Sequence, residues 1–118
     1  MQGEPPGFLY CVGAASIRVI TLDATASYLE AFIVPHSDDR GRGDGRKLMQ
    51  QLIEWADANW VTLWLACKEP WVREWYERLG FVQTPDWPAG WEPRQWEEDA
   101  RQKGAVWVMC RVPIWLQM

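Results

Sequence analysis

Apolar and polar positions alternate in short blocks along the first part of the chain, and the period changes after position 45. Residues 8–12 and 17–22 are apolar runs of strand length, with Gly13-Ala14-Ala15-Ser16 as the turn between them. Residues 23–27 form a second connection, and 28–34 predicts a third strand. In that strand Tyr28, Glu30, Phe32 and Val34 share one face, and Leu29, Ala31 and Ile33 the other. Pro35 cannot donate to a ladder, so pairing is expected to fail there, as it would where a sheet splits.

From 46 to 60 the spacing is helical, with Met49, Leu52, Ile53, Ala56 and Trp60 on one face. Arg46, Lys47, Gln50, Glu54 and Asp57 take the opposite face. Residues 61–67 are nearly all apolar, which predicts a strand buried on both sides. Glu69-Pro70 opens a second helix with proline at its first position, and Val72, Tyr76 and Leu79 form its apolar stripe. Gly80 is expected to close it in a left-handed cap. A short strand at 81–84 and a last one at 105–112 flank an insert at 85–104, rich in tryptophan and acid, whose 93–103 stretch reads as a polar helix. The order is ββ-β-loop-α-β-α-β-insert-β. It predicts an α/β (α+β) domain with a mixed sheet flanked by helices.

Length and composition narrow the picture. The 118 residues suffice for one domain with a modest core, residues 1–7 being a loose terminus without the pattern of a signal peptide. No apolar run approaches the roughly 20 residues of a membrane helix. A net charge of −4 argues against a general nucleic-acid role and favours a neutral or cationic partner. Cys11, Cys67 and Cys110 are odd in number, lack metal-ligand spacing and each lie in an apolar run. They read as buried thiols in a reducing, cytoplasmic compartment. His36 is the only histidine, so no histidine-based metal site is expected.

Between the third strand and the first helix lies Arg40-Gly41-Arg42-Gly43-Asp44-Gly45. Glycines at alternate positions let the main chain turn sharply and approach a ligand, because no Cβ intervenes. Free N–H groups and the positive dipole end at a helix start form a seat for phosphate. The stretch is therefore either a diphosphate seat or a solvated turn. It is not a Walker loop, because Gly45-Arg46-Lys47 does not supply Gly-Lys-Ser/Thr. Nor does it carry the third glycine of the dinucleotide fingerprint, where Leu48 or Arg46 stands depending on frame.

The spacing does fit R/Q-x-x-G-x-G/A, with Arg40, Gly43 and Gly45 at the defined positions. In this it resembles the acyl-CoA diphosphate loop of the GNAT N-acetyltransferase superfamily. The resemblance continues through Leu48-Met49-Gln50-Gln51-Leu52 to Trp75-Tyr76-Glu77-Arg78-Leu79-Gly80-Phe81, which is similar to that family's tyrosine-bearing helix and Gly-Phe turn. It implies a mostly antiparallel twisted sheet splayed in the middle, the acyl-CoA N-acyltransferase fold, and acetyl-CoA or another acyl-CoA as co-substrate, without a metal. Main-chain groups of Phe32, Ile33 and Val34 would hold the pantetheine arm, and those of Gly41, Arg42, Gly43, Asp44, Gly45 and Arg46, beside Arg40, the diphosphate. A backbone N–H, that of Val34 for choice, would polarise the thioester. Glu69 stands where many members carry an asparagine that meets the cofactor arm.

Acyl transfer to an amine requires a base, since an alkylamine has a pKa of about 10.4. Glu30, beside the expected splay, is the first candidate; the alternative is an ordinary strand glutamate. Asp38, Asp39 and Glu69 come after it. By resemblance Tyr76 would serve the leaving thiolate, the alternative being a packed aromatic. Trp87, Trp91 and Trp96 among the acids of the insert could hold a cationic amine, small molecule or protein, or could simply pack. The chain has no room for the two helices that in the family wall the acceptor site. That site is then open to a large substrate or completed by a second subunit in a homodimer. The leading reading is an acyl-CoA-dependent N-acyltransferase; the other is a non-catalytic module that binds CoA or a protein on the same scaffold.

Overall fold

Two tight hairpins build the first half of the sheet. The computed structural model describes residues 8–33 and 43–117. Strand β1 (Phe8–Val12) returns through Gly13-Ala14 into β2 (Ala15–Asp23), with Val12 opposite Ala15. The turn is shorter than the sequence suggests, because Gly13 alone supplies the left-handed φ of 57° that a two-residue turn needs. At the next turn the Asp23 carboxylate accepts hydrogen bonds from the Thr25 amide and hydroxyl. That local bond lets β3 (Ala26–Ile33) begin two residues earlier than predicted.

The chain then crosses through α1 (Asp44–Ala58) to β4 (Thr62–Cys67). Helix α2 (Pro70–Arg78), β5 (Val82–Thr84), helix α3 (Gln95–Gln102) and β6 (Trp107–Arg111) follow, with a 3-10 turn at Ile114–Leu116. Within the described residues the strands form one sheet in the order β1-β2-β3-β4-β6-β5. Among the described residues the β3–β4 pairing is parallel and the other pairings are antiparallel.

The parallel pair is brief. Ala26, Ser27 and Tyr28 face Thr62, Leu63 and Trp64, and there the pairing stops. Beyond it β3 stays with β2 as far as Ile33, while β4 stays with β6 as far as Cys67. The sheet therefore splays in its middle, as expected.

The splayed half of β3 also carries an irregularity. Glu30 pairs with Arg18 but Ile33 pairs with Ser16, so β3 has one residue more than β2 over this span. An extra residue reverses the alternation beyond it. Tyr28 stacks on Trp91 of the insert, whereas Phe32 packs on the helix-side core. The prediction that Tyr28, Glu30 and Phe32 share one face is thereby corrected.

The core lies between α1 and the sheet. Leu48, Met49 and Leu52 are fully buried against Ile17, Val19 and Leu63. Strand β4 is buried on one side only: Leu63, Leu65 and Cys67 are covered, while Thr62, Trp64 and Ala66 are half-buried. On that second face Trp91 of the insert stacks on Tyr28, the neighbour of Trp64 across the β3–β4 pair. Helix α1 also ends before Trp60, which is 52% exposed at φ 59° and not on the apolar stripe. Asp57, read as solvent-facing, pairs instead with the buried Arg111 of β6, Nη1 to Oδ1 at 2.8 Å. Gly80 takes its expected left-handed cap at φ 97°, and Arg111 Nε lies where a Cβ would approach to 3.1 Å. The same guanidinium donates to the Leu79 carbonyl.

Candidate functional site

The splay opens a cleft of about 710 Å³. Phe32 forms one side, Ala66, Cys67 and Lys68 from the end of β4 form the other, and Trp71, Trp75 and Tyr76 of α2 cover it. Gly43, Gly45 and Arg46 stand at the start of α1 where the cleft reaches the glycine loop. Phe32 and Trp75 stack at 5.9 Å between ring centroids, linking β3 to α2.

The start of α1 is built without a side-chain cap. Gly43 occupies the N-cap in a left-handed conformation (φ 77°, ψ 16°), and the first helical bond runs from the Lys47 amide to the Gly43 carbonyl. Amides at the beginning of a helix have no acceptor within it, so those of Gly45 and Arg46 can serve a ligand in the cleft. A capping serine or aspartate at position 43 would compete for them. Asp44 turns its carboxylate to the β1–β2 hairpin, where the Ala14 amide donates to Oδ2 at 3.1 Å.

Tyr76 lines the cleft and is otherwise buried, at 5% exposure. Burial raises the phenol above its ordinary pKa, with a smaller contribution from the Cys67 sulfur beside it. Burial likewise pushes the Cys67 thiol up to about 11, so it stays protonated at neutral pH. Of the three cysteines only Cys67 is buried. Cys11 is exposed on the edge strand and Cys110 half-buried, which corrects the expectation of three buried thiols.

Glu30 belongs to the other face of the sheet, with Tyr28 and the insert. The Tyr28 phenol is raised by burial first and then by the negative charges of Glu97 and Glu30, which places both carboxylates near it. Tyr28 and Trp91 are stacked at 3.9 Å, 14° from parallel. Trp87 donates to Glu98, and Trp96 lies under the Lys68 ammonium at 4.7 Å. The three indoles of the insert thus meet the protein's own groups: a sheet aromatic, an acid of α3, and a lysine at the cleft.

Of the residues singled out by sequence, the structure brings Phe32, Gly43, Gly45, Arg46, Glu69 and Tyr76 to one cleft. Glu69 is the N-cap of α2, its carbonyl accepting from the Val72 and Arg73 amides. Ile33 ends β3 at the splay. Val34, Asp38, Asp39, Arg40, Gly41 and Arg42 lie outside the described residues. The sequence reading missed Trp71, Trp75, Cys67 and Lys68. The first two are four apart on α2, a spacing that puts them on one helix face next to Tyr76.

With this geometry in view, comparison with known proteins is decisive. The sequence profile of the acetyltransferase (GNAT) domain matches residues 6–83. The chain belongs to the GNAT family. A relative from Methanocaldococcus jannaschii, described as an uncharacterized N-acetyltransferase, is 35% identical over 86 residues, covering 70% of this chain and 37% of its own. Among solved structures, an acetyltransferase from Streptococcus agalactiae superposes with a TM-score of 0.64 at 20% identity, over 84% of this chain and 59% of that one. The ribosomal-protein-S18-alanine N-acetyltransferase of Escherichia coli gives 0.61 at 23% identity, over 84% and 61%. This GNAT chain therefore spans about six-tenths of those two structures and less than half of the archaeal relative. Among the described residues no helix is long and apolar enough to cross a membrane, and no group of three His, Cys, Asp or Glu could hold a metal.

Proposed function

We propose that this GNAT protein transfers an acyl group, acetyl in the first instance, from acyl-CoA to an amine. One observation carries the reading: β3 leaves β4 after Tyr28, and the opening holds an uncapped helix start at one place and a buried tyrosine at another. Main-chain groups of the splayed half of β3, left without a β4 partner, can receive the amides of a pantetheine arm as a substitute strand. The α1 amides and dipole can receive the diphosphate. The cleft volume is of the size that takes such a ligand.

The acyl group reaches an amine by direct attack. The C–N bond forms and the C–S bond breaks, the amine losing a proton and the thiolate leaving. Glu30, on the insert face, is the base that takes that proton, directly or through water. Tyr76 approaches from the helix face. A cysteine-type thiol has a pKa of about 8.5 and a free tyrosine about 10. With the Tyr76 phenol raised further, complete proton transfer to the thiolate is uphill. Tyr76 therefore donates a hydrogen bond to the departing sulfur, which takes its proton from solvent on release. Glu30, Glu97 and the net charge of −4 favour an acceptor that carries positive charge.

Calorimetric titration of the purified protein with acetyl-CoA tests the reading. Saturable binding is expected, and Gly45→Leu, which adds bulk at a helical position lining the cleft, is expected to abolish it. Thiol release in the presence of an amine panel then separates an enzyme from a CoA-binding module. No saturation by acetyl-CoA would sink both, and a protein partner would then be sought.

A further inference from the structure

Asp44 is an unusual residue to find in a diphosphate seat, because its charge has the same sign as the ligand. It stands at the first position of α1, yet only 6% of it is exposed. Its Oδ2 accepts from the Ala14 amide at 3.1 Å, a bond that spans 30 residues and ties the start of α1 to the turn between β1 and β2. Gly13 makes room for it: a Cβ there would lie 2.5 Å from Oδ2 and 2.7 Å from Cγ. The turn and the carboxylate are thus fitted to each other.

We propose that Asp44 is a positioning residue for the diphosphate of acyl-CoA, anchoring the Gly43–Gly45 turn to the β1–β2 hairpin so that the first-turn amides of α1 face the cleft. The proposal rests on the acyl-CoA reading above. Gly43 has no side chain with which to fix its own peptide, and its left-handed conformation is held only by what surrounds it. A glycine turn left loose would sample many orientations, and the ligand would have to order it on binding. The anchor removes that cost in advance. It also gives the Asp44 carboxylate a donor on the hairpin, the Ala14 amide.

A second tie between the same elements supplies the control. The Tyr10 hydroxyl donates to Gln51 Oε1 at 2.7 Å, joining β1 to α1 about two turns from the seat. It holds the hairpin to the helix without touching the glycine turn.

The test compares acetyl-CoA with acetylpantetheine, which lacks the nucleotide diphosphate, in steady-state kinetics at matched protein stability. Asp44→Ala is expected to raise KM for acetyl-CoA about tenfold, with kcat little changed and kcat/KM for acetylpantetheine unaltered. Asp44→Asn keeps an acceptor for the Ala14 amide and sheds the charge, so it is expected to restore KM to within about threefold of the parent. Tyr10→Phe is expected to lower the melting temperature and leave both substrates unaffected. Gly13→Ala, which displaces the carboxylate, is expected to reproduce the selective KM effect, and it takes the place of Asp44→Ala should that variant not fold. An unchanged KM for acetyl-CoA in these variants, or an equal loss with acetylpantetheine, would overturn the proposal. A parent protein that neither binds nor turns over acetyl-CoA would instead overturn the function on which it rests.

Discussion

Burial of a tyrosine favours the neutral phenol over the phenolate, and Tyr76, 5% exposed on the cleft, is such a residue. Because its pKa is raised, the phenol form persists through pH 9, and no loss of rate is expected there from its ionisation. Tyr76→Phe keeps the ring that packs edge-on to Trp75 and Phe81 and removes only the hydroxyl. The expected result is a fall in kcat of about 10²-fold with the Kd for acetyl-CoA unchanged. Stopped-flow thiol release and calorimetry would measure the two separately, and equal losses in both would make Tyr76 a packing residue. The position of Tyr76 on α2 was legible from its helical spacing and from the motif around it. Its burial agrees with its place on the stripe with Val72 and Leu79, and Trp75 and Phe81, near it in sequence, pack edge-on to its ring.

Elements were read better in their middles than at their ends. The interior of α1 was legible because Met49, Leu52 and Ala56 repeat at the helical period and all three are buried. Its end was not. Trp60 continues the period but sits at φ 59°, where the chain closes with the Val61 amide bonded to the Ala56 carbonyl at 2.8 Å. A left-handed conformation costs a non-glycine residue roughly 1–2 kcal/mol. Since the Trp60 ring is half exposed, Trp60→Gly is expected to stabilise the protein by up to about 1 kcal/mol, read as a higher urea midpoint. A lower midpoint would mean that the indole packs more than its exposure suggests. The extra residue in β3 was equally hidden: strict alternation through Phe32 assumes even pairing, and only the register with β2 reveals the break.

Across the molecule, one ion pair ties the last strand to the first helix. Asp57 receives Arg111 Nη1 and the Ile114 amide, and its carbonyl receives Trp115 Nε1, so α1, β6 and the terminal turn meet at one residue. Burial opposes the Asp57 charge, but the Arg111 and Ile114 hydrogen bonds outweigh it and hold the carboxyl below its usual range. A carboxyl lowered by folding contributes stability at neutral pH, and that contribution is lost as pH falls through the folded pKa, below about pH 4. Asp57→Asn is expected to cost about 2–4 kcal/mol at pH 7 and to flatten the acid limb of the stability curve. Urea unfolding at pH 7 and pH 3 checks both, and an unaltered acid limb would place its origin at other carboxylates.

What the sequence determined by itself were the features carried by neighbours along the chain: the order of strands and helices, the glycine loop ahead of α1, the proline start and glycine end of α2, and the local motif that marks Tyr76. These depend on backbone preference and short-range periodicity, which a linear string records directly. The tertiary structure decided what depends on pairing between distant segments. It ended the β3–β4 ladder after Tyr28, turned Phe32 to the helix side, brought Asp44 to Ala14, and set Trp91 on Tyr28. Each of these fixes a direction for a side chain or a strand, and direction is set by register and packing, quantities that no single stretch of sequence contains.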